Sequence, residues 1–167
     1  ACFGVALFVS TRPRDLTFTI AGAQGEVGRW IGSSSETSTT LAFSDGSTLE
    51  LHPEGRARVI AVDERGARVL LEDGALTARV THRRGTSWTV AAGPFEVHVV
   101  GTSFEASWSS GDETLTVKML EGRVELTGAC LDVPRPVSDT EVVQVSCRGV
   151  VAARAESTPA SATACSP

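Results

Sequence analysis

From Leu16 to Val151 nearly every recognisable run carries apolar residues at alternate positions, and no stretch sustains the i, i+3, i+4, i+7 spacing of an amphipathic helix. Successive strand side chains point to opposite faces, so each such run offers one face to a core and one to water. The clearest are Thr48-Leu49-Glu50-Leu51, Arg58-Val59-Ile60-Ala61-Val62, Ala67-Arg68-Val69-Leu70-Leu71, Leu76-Thr77-Ala78-Arg79-Val80 and Phe95-Glu96-Val97-His98-Val99. Ser103-Phe104-Glu105-Ala106-Ser107-Trp108, Leu115-Thr116-Val117-Lys118-Met119 and Val124-Glu125-Leu126 continue the series. Asp45-Gly46, Arg65-Gly66, Asp73-Gly74, Ser110-Gly111-Asp112 and Glu121-Gly122 punctuate it with residues that tolerate the positive φ of tight turns, and each is expected to end a strand. The pattern predicts a single all-β domain over residues 16–153. Short strands at this spacing build a sandwich, a barrel or a β-solenoid, and alternation alone does not choose among them. The lack of a strict repeat speaks against a regular β-helix.

The ends of the chain read differently. Ala1 to Ser10 carries no charge and is followed by Arg12-Pro13-Arg14. Three readings stand for residues 1–12: the outer half of a transmembrane helix, the remnant of a signal peptide, or a buried strand. The first is preferred, because a proline between two arginines would end a helix at a membrane surface. Residues 32–40 form a polar Ser/Thr-rich segment that reads as a loop running into a strand at Leu41-Ala42-Phe43. Residues 154–167 reduce to Ser, Thr, Pro and Ala with few others, the composition of a flexible tail or linker.

Charge narrows the function classes. With 15 Lys and Arg against 20 Asp and Glu the net charge is -5, which disfavours nucleic acid as a partner. None of the four cysteines, Cys2, Cys130, Cys147 and Cys165, lies at metal-ligand spacing, and the three histidines are scattered, so no metal or other cofactor is expected. Cys130 and Cys147 flank a Pro-containing connection and a Val-rich strand, which suits a local disulfide; two buried free thiols are the alternative.

Catalytic constellations fare no better. Ser103 lacks the second glycine of a nucleophile elbow and reads as a strand residue. Asp112-Glu113 sits on a turn, His82-Arg83-Arg84-Gly85 reads as an exposed basic turn, and His98 as an exposed strand residue between Val97 and Val99. Trp30, Trp88 and Trp108 are expected in the core, since an aromatic-poor chain needs its large rings there first. An enzyme is not the expected function.

Several ordered motifs then point to one family. Leu41-Ala42-Phe43-Ser44-Asp45-Gly46-Ser47-Thr48-Leu49-Glu50-Leu51 is similar to the L-x-x-x-D-G-S-x-x-x-L opening of the FecR domain. Trp88 to Val97 follows, containing Gly93 and Phe95, then Gly101-Thr102-Ser103-Phe104, like the family's G-T-x-F, and Val117-Lys118-Met119-Leu120-Glu121-Gly122-Arg123-Val124-Glu125-Leu126, like its closing V-x-x-G-x-V. From Phe43 to Leu126 the chain therefore resembles the FecR domain of bacterial membrane-bound sigma-factor regulators. The signature reads as structural: Gly101 and Gly122 allow backbone bends, Thr102 is expected to tie a bend through its hydroxyl, and Phe104 and Val124 supply core. The resemblance implies a twisted β-solenoid-like module in the periplasm, anchored to the inner membrane by an N-terminal helix. It also implies a protein partner, such as the signalling domain of an outer-membrane TonB-dependent transporter, with relay to a sigma factor. In the family's usual layout a cytoplasmic sigma-binding segment precedes the membrane helix and a small second domain follows the FecR domain. Neither is recognised here, which leaves a cell-envelope scaffold or adhesion module as the alternative.

Overall fold

A computed structural model of the chain describes residues 15–99 and 101–155, of which 149–155 are given as a strand only. The segment 1–12 and the residues after Ala155 lie outside it, so the readings of both ends stay expectations. Every regular element among the described residues is a strand, as the alternation predicts. In chain order these are β1 (Phe18–Ile20), β2 (Ala23–Gln24), β3 (Ile31–Gly32), β4 (Thr39–Phe43) and β5 (Thr48–Leu51). Next come β6 (Arg56–Val62), β7 (Ala67–Arg79), β8 (Trp88–Ala92), β9 (Phe95–Val99) and β10 (Ser103–Ser109). The series ends with β11 (Thr114–Glu121), β12 (Arg123–Gly128), β13 (Arg135–Ser138), β14 (Glu141–Ser146) and β15 (Gly149–Ala155).

Two sheets share one strand. The first runs β2-β1-β4-β5-β7-β10-β11-β14-β15 and the second β3-β6-β7-β8-β9-β12-β13. All pairings are antiparallel except β7 with β8. Strand β7 makes the corner: Ala67 to Asp73 pairs with β6, and Gly74 to Arg79 pairs with β10, so one strand leaves one sheet and enters the other. The expectation that Asp73-Gly74 ends a strand is corrected here. Gly74 has φ +87, and a Cβ on it would lie 2.7 Å from the Cα of Gly55. The positive φ is spent on a bend within a thirteen-residue strand and not on a hairpin turn. Asp73 braces the bend, its Oδ1 accepting the Ser110 N–H at 2.9 Å.

The two sheets face each other across a single core. Phe43 of β4 meets Trp88 of β8 edge-on at 4.6 Å, and Phe95 of β9 meets Trp108 of β10 at 6.2 Å, each pair joining opposite sheets. Alternation is clean where a strand has one wet face: Phe104, Ala106 and Trp108 of β10 are buried and the residues between them are not. Strand β8 breaks the rule by being buried at all five positions. It lies between β7 and β9, whose Arg68, Glu96 and His98 roof its outer face.

The placement of Trp30 corrects a second expectation. Trp88 and Trp108 are core, whereas Trp30 is 38% exposed, with the guanidinium carbons of Arg56 and Arg58 at 4.6 and 4.5 Å from its ring. Its neighbour Ile31 is buried, so pleating turns Trp30 outward, toward the face that Arg56 and Arg58 share on β6.

Cys130 and Cys147 form a disulfide that ties the connection after β12 to the turn between β14 and β15, and thus the far reaches of the two sheets. It closes a loop of 17 residues, which in the chain-entropy picture stabilises the fold by about 3 kcal/mol. Replacing both cysteines by serine should lower the denaturation free energy by about that amount; an unchanged urea midpoint would show that the staple constrains nothing.

Candidate functional site

Most of the signature residues meet at one end of the sandwich. Asp45 and Gly46 lie in the β4–β5 turn, Gly101 and Thr102 in the β9–β10 connection, and Glu121 and Gly122 where β11 passes into β12. Gly93 and Phe95 sit at the opposite end of β9, against Trp108. Phe104 and Val124 are buried in the core.

The end is knit by short-range bonds. Asp45, itself buried, accepts the Ser47 N–H on Oδ1 at 2.8 Å and the Ser47 hydroxyl on Oδ2 at 2.9 Å, an Asx-type turn that leaves Ser47 Oγ free to accept the Thr81 N–H at 3.0 Å. Arg83 donates to the Asp45 carbonyl at 2.5 Å, drawing the β7–β8 loop onto the same turn. The Val80 N–H donates to the Thr102 carbonyl at 2.9 Å. Gly101 has φ +70, and a Cβ there would stand 2.2 Å from the Cβ of His82, so two chain segments cross in contact. Gly122 donates its N–H to the Asp139 carboxylate.

Thr102 does not do what its sequence context suggests. Its hydroxyl is buried and has no hydrogen-bond partner, and its methyl carbon is the side chain's contact with Gly122. The bend is held by backbone bonds and by close packing against glycine.

Two open depressions share Gly101. One, of about 660 Å³, is lined by Gly46, Arg79, His82, Thr102, Ser103 and Glu121 among others. The second, of about 720 Å³, is bordered by His98, Arg123, Glu125, Pro136 and Asp139. Both mix charges of either sign. Among the described residues no three His, Cys, Asp or Glu gather as a metal site, and no helix is long and apolar enough to cross a membrane. The Ser138-Asp139-Thr140 turn, with Thr140 at φ +64, is a part of this end that sequence reasoning missed, although a polar triplet between Val137 and Glu141-Val142 is itself a turn signal.

His98 is half-buried rather than freely exposed. Its Nε2 lies 3.0 Å from Thr127 Oγ1 and 3.6 Å from Glu96 Oε2, and its Nδ1 lies 3.4 Å from Thr89 Oγ1. Glu96 also pairs with Arg68 across β8. The Arg68 hydrogen bond holds the Glu96 carboxyl below its ordinary value of 4.5, against an opposing push from partial burial. Because the folded state binds that proton more weakly, the contribution is complete above the ordinary value and fades as pH falls through the lowered one. Glu96→Gln should therefore lower the melting temperature near neutrality and lose its effect in acid. A difference that persists unchanged at low pH would refute the ion-pair origin.

Residues 31–125 match the family model described as FecR protein. Two crystal structures of a candidate anti-sigma factor from Parabacteroides distasonis ATCC 8503 superpose with a TM-score of 0.67 at 20% identity, over 77% of this chain and 60% of theirs. At that identity the likeness is one of fold, and the chain spans less than two thirds of the neighbour's length. No curated protein matches.

Proposed function

Because the chain belongs to the FecR protein family, we propose that it is the periplasmic sensory and regulatory part of a single-pass membrane protein, acting by protein contact to signal toward a sigma factor. The family match over residues 31–125 is the observation that carries the reading. The disulfide supports it, since such bonds persist in oxidising compartments outside the cytoplasm. So does the character of the loop end: small-molecule sites enclose most of their ligand, whereas the depressions around Gly101 are open and suit another macromolecule. Six of the signature residues, Asp45, Gly46, Gly101, Thr102, Glu121 and Gly122, lie at that end, and none of them is asked to do chemistry. The partner is an envelope protein, with the signalling domain of a TonB-dependent outer-membrane transporter as the specific candidate.

The test uses the complete reading frame in its own membrane. Alkaline phosphatase, active only after export, is fused behind Ala155, and sigma-dependent transcription is read with the gene present and deleted. The expected result is high phosphatase activity and altered transcription. High activity of a cytoplasmic reporter at the same junction would overturn the location. Unchanged transcription with an exported fusion would favour an envelope scaffold without a sigma factor.

A further inference from the structure

The two sheets have four terminal strands, and three of them are blunted. Strands β2 and β3 are two residues each. Behind β3, the outer carbonyls of Val59 and Asp63 are taken by the N–H groups of Gly28 at 2.8 Å and Leu16 at 3.1 Å. Strand β13 has four residues, one of them Pro136, which has no N–H to give, and its Ser138 N–H goes to Glu141 Oε2 at 3.3 Å. The fourth, β15, differs. It runs seven residues, pairs with β14 from Gly149 to Ala155 with one register shift that leaves Val151 unpartnered, and has no strand on its other side among the described residues. A long uncovered edge is a liability that proteins ordinarily guard against, as this one does three times.

We propose that the outer edge of β15 is a strand-addition surface for an extended segment of another protein, an apolar run with a carboxylate near each end. This deepens the protein-contact reading and rests on it. Backbone pairing would supply affinity and the flanking charges would set choice of partner and register. The sequence Arg148-Gly149-Val150-Val151-Ala152-Ala153-Arg154 brackets four small apolar residues between two arginines in a chain whose net charge is -5, so the complement is a strand with acidic ends. At about 3.4 Å per residue the edge offers roughly 24 Å of backbone. The Cys130–Cys147 disulfide fastens the turn that leads into β15, holding the template in place.

The experiment titrates the ¹⁵N-labelled 167-residue chain with a capped heptapeptide, Glu-Val-Thr-Val-Thr-Val-Glu, and with its counterpart ending in lysines. Expected are amide shifts concentrated at residues 149–155 and binding about tenfold tighter for the acidic peptide, the effect of two exposed ion pairs replacing two repulsions. Prolines at Ala152 and Ala153, where the register with β14 is regular and one of the two N–H groups faces outward, should divide into one variant that abolishes binding and one that does so less. If either variant unfolds, amide exchange on the parent chain replaces it, with slower exchange at 149–155 under saturating peptide as the supporting result. Shifts centred on another strand or on the loop end, or equal binding of the lysine peptide, would overturn the proposal. So would binding seen only after truncation behind Ala155, which would mean that the chain's own tail occupies the edge. A cellular partner still captured by the proline variant that abolishes peptide binding would overturn the edge and leave the protein-contact reading standing.

Discussion

Gly101→Ala is expected to destabilise the protein by about 3 kcal/mol or somewhat more. A left-handed backbone costs a residue with a Cβ about 1–2 kcal/mol, and Gly101 sits at φ +70. The new methyl would lie 2.2 Å from His82 Cβ and 2.6 Å from His82 Cα. One of those atoms is backbone and the other is fixed to it, so no rotamer change relieves the overlap, and overpacking of this kind adds roughly 1–3 kcal/mol. Gly111→Ala is the control: nothing lies within 4 Å of the position a Cβ would take, so its effect should stay within about 0.5 kcal/mol. Urea denaturation of both variants decides the matter. Equal midpoints would mean that the crossing of the β9–β10 connection over the β7–β8 loop is loose. Since Gly101 borders both depressions, a tight crossing also means that the loop end is set by backbone packing and tolerates little change.

The class of the fold was legible because burial with period two is written in single residues: Phe104, Ala106 and Trp108 alternate with polar neighbours in the chain and in space. The path of the strands was not, because alternation says which way a side chain points and not which strand lies beside it. Asp73-Gly74 shows the gap. A glycine at positive φ serves a hairpin turn and a strand corner equally well, and the choice here is made by β6 and β10, which lie far away in sequence. Trp30 shows a signal that was present and outweighed: hydrophobicity put it inside, while the buried Ile31 beside it put it outside. The Cys130–Cys147 bond was legible as one of two options, and only the proximity of the two turns chooses it.

At the loop end the sequence marked Asp45, Gly46, Gly101, Thr102, Glu121 and Gly122 as a set without showing that they meet. Local chemistry accounts for Asp45, whose carboxylate serves its own turn. Thr102 was misjudged because a hydroxyl near a bend ordinarily finds a backbone partner, and here the close approach of Gly122 leaves room for the methyl while the hydroxyl goes unpaired. Asp139, which receives the Gly122 N–H, stands 17 residues away and carries no local mark of that role.

Trp88→Ala should be the most damaging single truncation, at about 4 kcal/mol. The side chain is 1% exposed, it carries the cross-sheet contact with Phe43, and its Cδ1 lies close enough to Gly66 that a Cβ there would be 2.8 Å away. Its indole N–H is buried without a partner, so truncation breaks no hydrogen bond and the loss is one of packing alone. That separates two explanations of the residue. If Trp88 matters by filling space between the sheets, Trp88→Phe should recover most of the loss, because it keeps an aromatic ring against Phe43 and removes an N–H whose burial is itself unfavourable. If the indole nitrogen held a bond essential to the fold, phenylalanine would be nearly as harmful as alanine. Denaturation midpoints of the two variants distinguish these outcomes. The packing result would place the stability of the sandwich in the facing of β4 and β8, the two strands whose sequences flank and supply the family signature.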